Sequence, residues 1–171
     1  MPRVTRRSLG RLLLSFAATS TARAAAELPL PAGKRVLTIS GSITKTNLGE
    51  TAAFDLTTLE SLGLVGFETT TPWYTAPVRF DGVRMTRLMD AVGATGSSVR
   101  AVALNDYTTE IPVSDFEKYG VLLAIKRDGQ YMPIRDKGPL FIVYPFDSMA
   151  ELKSQQYYSR SAWQVAKLVV S

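Results

Sequence analysis

The sequence predicts a single α+β domain, rich in β-strand and built on a mixed sheet. Short stretches of alternating residues, many of them β-branched, recur along the chain and are typical of strands. Two segments between them have apolar residues at helical spacing. The length of 171 residues suits one domain. A content of 46% hydrophobic and 20% charged residues is close to the globular average and argues against extensive disorder.

The first half of the chain alternates between strand and helix patterns. The elements expected here are a strand at 36–41, a helix at 54–62, a strand at 64–71 and a helix at 83–92. Asp55 or Thr57 is the expected N-cap of the first helix. Asp81-Gly82 is expected to form a turn, and Gly93 to end the second helix.

The second half is dominated by strand patterns. Strands are expected at 99–104, 107–111, 121–126, 130–134, 140–144 and 162–170. Asp128-Gly129 lies between two of them and predicts a tight hairpin. Residues 114–117 predict one turn of helix, and residues 149–160 an irregular or weakly helical segment.

Composition excludes several classes of chemistry. The chain has no cysteine and no histidine, which rules out disulfide scaffolds, thiol nucleophiles, imidazole-held metals and Ser-His-Asp catalysis. Residues 1–26 hold five arginines and no acid, so the other 15 basic residues balance 15 acidic ones. The net charge of +5 therefore belongs to the N-terminal segment, and we expect no nucleic-acid binding by the domain.

Residues 1–26 have the layout of a secretory signal peptide. A charged start is followed by an apolar run at 12–18 and a small-residue exit at 21–26. The run is shorter than the ~20 residues that span a bilayer. Residues 5–9 resemble a twin-arginine export signal, with a general-secretion signal as the alternative. We expect cleavage near Ala24 or Ala26 and a periplasmic domain at 27–171 without a membrane span.

Five segments, in this order, resemble one family. They are residues 80–89, 105–107, 122–129, 132–140 and Trp163. The series is similar to the oxidoreductase molybdopterin-binding domain, the fold of sulfite oxidases, from about Val36 to Val170. The resemblance implies a sulfite-oxidase-type fold, molybdopterin as the family's cofactor, and oxygen or electron transfer at a small periplasmic substrate.

The same resemblance shows departures at the positions that contact the cofactor. In active members a cysteine thiolate binds molybdenum four residues before a tryptophan; Trp73 matches that tryptophan and puts Thr69, a poor substitute for a thiolate, at the ligand position. Lys137 stands for a histidine, Phe141 for an arginine and Ala162 for a lysine. We therefore expect a cofactor-free module that binds a small molecule or serves a sensory partner. The alternatives are a molybdopterin-dependent oxidoreductase and a scaffold without a ligand.

Two segments supply the first candidate site residues. The hydroxyls of Thr69, Thr70 and Thr71 beside Trp73 are typical of a cavity floor with an aromatic wall, or of an exposed strand. Arg135-Asp136-Lys137 is typical of an anion clamp, or of a solvated loop with a local ion pair.

Two further pairs complete the set. Asp106 and Tyr107 offer an acid and a phenol to a pocket, although an aspartate in a turn also accepts backbone N–H bonds. Arg160 and Ser161, together with Tyr157, Tyr158 and Ser159 before them, suit a ligand-facing loop or a protein contact. No metal site is expected. The expected ligand is a small molecule or an anion, and the expected protein partner is a membrane sensor or a redox protein.

Overall fold

A computed structural model describes residues 28–171; the predicted signal peptide at 1–26 lies outside the described residues. The strands are β1 Leu37–Gly41, β2 Ala52–Phe54, β3 Val65–Thr71, β4 Tyr74–Arg84, β5 Ser98–Ala103, β6 Thr108–Pro112, β7 Leu122–Arg127, β8 Gln130–Tyr131, β9 Phe141–Val143 and β10 Val165–Val170. The helices are α1 Leu56–Glu60, α2 Met85–Val92, α3 Val113–Tyr119 and α4 Gln155–Arg160. Short 3₁₀ turns lie at Ile134–Asp136 and Ala150–Leu152.

The strands form two sheets rather than the one expected. The first has the order β2-β1-β10-β5-β6, in which β1 and β10 are parallel and the other pairs antiparallel. The second has the order β3-β4-β7-β8, with β9 also pairing antiparallel with β7. The β-rich α+β prediction is confirmed, and only the first sheet is mixed.

The two sheets are joined where β9 runs beside the segment before β10. Phe141 and Trp163 form an antiparallel bridge there. The N–H of Ile142 donates to the Ala162 carbonyl at 2.8 Å, and the N–H of Val165 donates to the Leu140 carbonyl at 3.0 Å. This seam holds the aromatic residues of the second sheet against the start of β10.

Local sequence accounts for the helix boundaries. Asp55 caps α1 through a capping box: its side chain accepts from the Thr58 N–H at 2.7 Å, and the Thr58 hydroxyl accepts from the Asp55 N–H at 2.9 Å. Gly93 ends α2 in the left-handed conformation, with φ +59°. Both boundaries follow the sequence predictions.

The predicted turn at Asp81-Gly82 is wrong. These residues lie inside β4, an 11-residue strand, at a register shift against β7. A Cβ on Gly82 would lie 2.1 Å from the Leu123 carbonyl oxygen and 2.6 Å from the Ala124 Cα. Glycine is needed here because the backbone of the neighbouring strand β7 approaches closely, and a glycine within a strand often marks such a close approach.

Candidate functional site

A cavity of about 330 Å³ opens between the β3–β4 turn, the β5–β6 turn, α4 and the segment before β10. Its aromatic lining residues are Trp73, Tyr107, Tyr158 and Trp163. Its uncharged polar lining residues are Asn105, Gln155, Ser159 and Ser161. Pro72 completes the lining, which contains no charged side chain.

Trp73 is placed by a tight turn and fixed by aromatic packing. Thr71 pairs with Tyr74 across the β3–β4 turn, which leaves Pro72 and Trp73 at its tip. The Trp73 ring packs edge-on against four others at centroid distances of 5.5–6.1 Å. These are the rings of Phe141, Phe146, Tyr158 and Trp163. Such edge-to-face contacts stabilise a fixed ring orientation, so this wall of the cavity is already formed.

Hydrogen bonds link the β5–β6 turn to α4 across the cavity. The Tyr107 hydroxyl donates to the Ser159 carbonyl at 2.7 Å, and the Ser159 hydroxyl donates to the Gln155 carbonyl at 2.7 Å. Asn105 Oδ1 accepts from the Tyr107 N–H at 3.2 Å. These hydrogen bonds therefore fix the β5–β6 turn and α4, which form the polar side of the cavity, relative to each other.

A largely buried ion pair links the end of α4 to α3. Arg160 Nη1 lies 2.7 Å from Asp115 Oδ2, which also accepts from the Tyr144 hydroxyl at 2.7 Å. Burial, followed by the bond to Asp115, raises the pKa of Tyr144 well above its ordinary value. Nearby, a hydrogen bond with Tyr119 is the main cause that raises the pKa of Tyr157 to about 12. Arg160 thus pairs with Asp115 and does not line the cavity, although the sequence suggested that it would face a ligand. Ser161 does line the cavity.

The three threonines do not form the predicted cavity floor. Thr69 is buried, and its hydroxyl accepts from the Asp147 N–H at 3.0 Å. The Thr70 hydroxyl donates to Asp147 Oδ1 at 2.6 Å, and Lys153 Nζ lies 2.6 Å from the same oxygen. The Lys153 ammonium is the main cause that lowers the pKa of Asp147, followed by bonds from Thr70. Thr71 accepts from the Trp73 N–H at 3.3 Å and so supports the turn.

The segment Arg135-Asp136-Lys137 does not form the predicted anion clamp. Asp136 pairs with Arg127 at 2.6 Å, and Arg135 is exposed without an ion pair among residues 28–171. Lys137 Nζ lies 4.5 Å from the centre of the Trp163 ring. A cation at this position is attracted by the face of the ring. Lys137 therefore contacts Trp163 rather than forming an ion pair with Asp136 beside it in the sequence.

Asp106 takes a different place from the one expected for an acid of the site. Its backbone is left-handed, with φ +63°, and the side chain that accepts a backbone N–H in this turn is that of Asn105. Tyr107 does line the cavity. Of this pair, therefore, only Tyr107 lies at the cavity.

The sequence singled out Tyr158 and Ser159 as part of a ligand-facing segment, but it did not single out Gln155. Gln155, Tyr158 and Ser159 lie at positions i, i+3 and i+4 of α4, which put them on one helix face. That spacing is visible in the sequence, but the segment was expected to be irregular or only weakly helical. Trp163, which the sequence offered as part of the family resemblance, lines the cavity as well as packing on Trp73. Asp147 carried no motif that would single it out.

A second, larger cavity of about 610 Å³ lies beside β1 and β10. Its charged lining residues are Lys34, Arg35 and Lys167, and the rest are mainly aliphatic. It has no aromatic wall, and none of the predicted site residues lines it. The aromatic cavity is therefore the better candidate site.

Comparison with known proteins agrees with the fold. Residues 56–151 match the family described as the oxidoreductase molybdopterin binding domain, and the chain belongs to this family. The structure is similar to the crystal structure of the sulfane dehydrogenase SoxCD from Paracoccus pantotrophus, with a TM-score of 0.59 and 16% sequence identity. The similarity covers 80% of this chain and 37% of that chain. No curated protein matches the sequence.

The sulfite-oxidase-type fold expected from the sequence is thereby confirmed. At 16% identity the structural similarity concerns the fold alone, and this chain spans little more than a third of the matched chain. None of the helices in the described part of the chain has both the length and the apolar character that crossing a membrane requires.

At three positions that the family resemblance assigns to cofactor contacts, the residues present do not fit molybdopterin. Thr69 has 1% of its surface exposed and shares its hydroxyl with Asp147. Phe141 is fully buried among aromatic rings, and Ala162 is 1% exposed. None of these positions presents a thiolate to a metal or a cation to a phosphate.

Proposed function

We propose that this protein is an exported, cofactor-free member of the molybdopterin-binding-domain family that binds a small molecule in the aromatic cavity. The observation that carries the proposal is the contrast between two neighbouring sets of residues. A preformed aromatic cavity lies beside Trp73. The adjacent cofactor positions are filled by Phe141, Ala162 and an engaged Thr69.

The composition of the cavity supports binding of a ligand. Small-molecule sites are concave, mostly apolar and aromatic, with a few polar groups, and have volumes of about 300–1,000 Å³. The cavity has this composition and lies at the lower end of that range. Its aromatic rings are held in place by one another, so little ordering is required when a ligand binds.

Export to the periplasm is the second part of the proposal. It is supported by the charged start, the short apolar run and the small-residue exit of residues 1–26. N-terminal sequencing of protein released by osmotic shock should find a chain that begins near Ala25 or Glu27. Full-length protein retained in the cytoplasm would contradict export. In the periplasm, the ligand-bound domain would act on a membrane sensor or a redox protein.

The alternative function is molybdopterin-dependent oxidation or reduction of a small substrate. Family membership favours it. Arg135 and Lys137 also favour it, because neither makes an ion pair within residues 28–171 and either would attract the cofactor phosphate.

Metal analysis distinguishes the two functions. Protein purified from its own periplasm, with the host making the cofactor, should contain far less than one molybdenum per chain and no fluorescent oxidised pterin. Loss of two charge-assisted contacts of about 1.5–3 kcal/mol each weakens binding by roughly two to four decades. A cysteine-containing member of the family, produced in the same host, is the control. Near-stoichiometric molybdenum would overturn the cofactor-free function.

Ligand binding is tested by thermal shift with a broad set of small molecules. Compounds that raise the Tm of the protein should lose that effect in Trp73→Ala, because the indole forms the cavity wall. Arg135→Ala is the matched control, since Arg135 is exposed and does not line the cavity. Absence of any Trp73-dependent shift would contradict the binding function.

A further inference from the structure

We infer that the cavity selects a single aromatic ring that carries a carbonyl or carboxylate oxygen, and that it discriminates against cations. The inference rests on the proposed function, because it names the ligand class of the same cavity. Four properties carry it: the volume, the aromatic walls, the inventory of hydrogen-bonding groups and the distribution of charge.

The volume limits the ligand to a small molecule. An engineered apolar cavity of about 150 Å³ is enough to bind benzene. The cavity of about 330 Å³ is roughly twice that size, which accommodates one ring with a short substituent. The walls favour an aromatic ring, because Trp73 and Trp163 pack edge to face, with ring centres 5.5 Å apart at an interplanar angle of 74°, and a ligand ring can extend this edge-to-face packing.

The hydrogen-bonding groups of the lining favour an acceptor on the ligand. The indole N–H groups of Trp73 and Trp163 and the amide nitrogen of Asn105 have no hydrogen-bond partner within residues 28–171. No fully buried side-chain N or O in this part of the chain lacks a partner, so these donors are accessible. Three acceptors around them are engaged: the Ser159 carbonyl by the Tyr107 hydroxyl, the Gln155 carbonyl by the Ser159 hydroxyl, and Asn105 Oδ1 by the Tyr107 N–H.

The charge distribution disfavours a cation. No carboxylate lines the cavity. The ammonium of Lys137 lies 4.5 Å from the centre of the Trp163 ring, so the attraction of that ring for cations is already used. A ligand ammonium there would meet a like charge without a compensating anion, whereas a carboxylate or an amide oxygen would meet N–H donors and one nearby cation.

A matched set of ligands tests this selectivity at pH 7. Phenylacetate, phenylacetamide and phenethylamine share a ring and a short arm but differ in charge, and cyclohexylacetate replaces the planar ring. Intrinsic fluorescence is a direct readout because both tryptophans of the chain, Trp73 and Trp163, line the cavity. We expect phenylacetate and phenylacetamide to bind at least tenfold more tightly than phenethylamine and cyclohexylacetate.

Two variants test the role of charge. Lys137→Gln should narrow the difference between phenylacetate and phenethylamine by about tenfold, because the one cation beside the Trp163 ring among residues 28–171 is removed. Arg135→Gln, two residues away and outside the cavity lining, should leave all four affinities unchanged. Circular dichroism and the Tm establish that each variant is folded.

The outcomes separate this inference from the proposed function. Equal or tighter binding of phenethylamine would overturn the inference. So would failure of all four ligands while other small molecules still give Trp73-dependent thermal shifts; the proposed function would then stand. Failure of every compound in both experiments would overturn the proposed function and the inference with it.

Discussion

Arg135 and Arg160 were both candidate ligand-binding residues in the sequence, but they have different roles in the structure. Arg160 is largely buried and pairs with Asp115, whereas Arg135 is exposed without an ion pair in the described chain. Removing one partner of a buried pair leaves an uncompensated charge, which is strongly destabilising. Removing an exposed side chain usually changes stability by less than about 0.5 kcal/mol.

We therefore predict that Arg160→Ala lowers the free energy of unfolding by about 2–4 kcal/mol. Arg135→Ala should change it by less than about 0.5 kcal/mol. Urea unfolding followed by circular dichroism measures both. Equal effects of the two substitutions would show that the Arg160–Asp115 pair does not stabilise α4.

At the residue scale, the sequence predicted some of the residues that line the cavity, but it did not predict the hydrogen-bond and ion-pair partners of the others. Trp73, Tyr107 and Ser161 were predicted for the site and line the cavity. Thr69 and Arg160 were also predicted, but their partners, Asp147 and Asp115, lie 78 and 45 residues away along the chain. Without contacts across that separation, a hydroxyl or a guanidinium that serves the fold cannot be distinguished from one that faces a ligand.

At the scale of the elements, β4 depends on one glycine. The close approach of Leu123 and Ala124 leaves no room for a side chain at position 82. Overpacking of this kind costs roughly 1–3 kcal/mol. We predict that Gly82→Ala lowers the free energy of unfolding by that amount, as measured by urea unfolding.

The matched control for Gly82 is Ala76→Val on the same strand. Ala76 is exposed, so the larger side chain projects into solvent and should change stability by less than about 0.5 kcal/mol. If Gly82→Ala were as stable as the parent protein, the register shift between β4 and β7 would not require glycine.

Elements with strong local patterns were predicted well. The capping box at Asp55, the left-handed Gly93 and the Asp128-Gly129 hairpin are each determined by a few neighbouring residues. Prediction failed where residue types that usually form turns are instead required by packing between distant parts of the chain. Asp-Gly at 81–82 has the composition of a turn, but it lies in a strand because β7 packs against it.

At the scale of the whole molecule, two aspartates link stability to pH. Hydrogen bonds from Thr58 and then Gly33 lower the pKa of Asp55 to about 2, and Lys153 is the main cause that lowers the pKa of Asp147. A carboxyl whose pKa is lower in the folded state stabilises the protein above its unfolded pKa. That contribution is lost as the pH falls through the folded value.

We predict that the free energy of unfolding is level between about pH 5 and pH 7 and falls below about pH 4. Asp55→Asn should reduce the slope of this fall, because the substituted side chain does not titrate. Glu50→Gln, at an exposed position, is the control and should leave the slope unchanged. Urea unfolding between pH 2.5 and 7 measures the slope. An unchanged slope in Asp55→Asn would contradict the conclusion that protonation of Asp55 contributes to the loss of stability in acid.

The parallel pairing of β1 with β10 has a consequence for synthesis. β1 is an interior strand of the first sheet, yet its neighbour β10 is made more than a hundred residues later. While the ribosome is still translating the middle of the chain, β1 can pair with β2 but has an open edge on its other side. Unpaired edges of this kind invite association with other chains. The newly made polypeptide therefore gains most from a chaperone during the interval before residues 165–170 emerge.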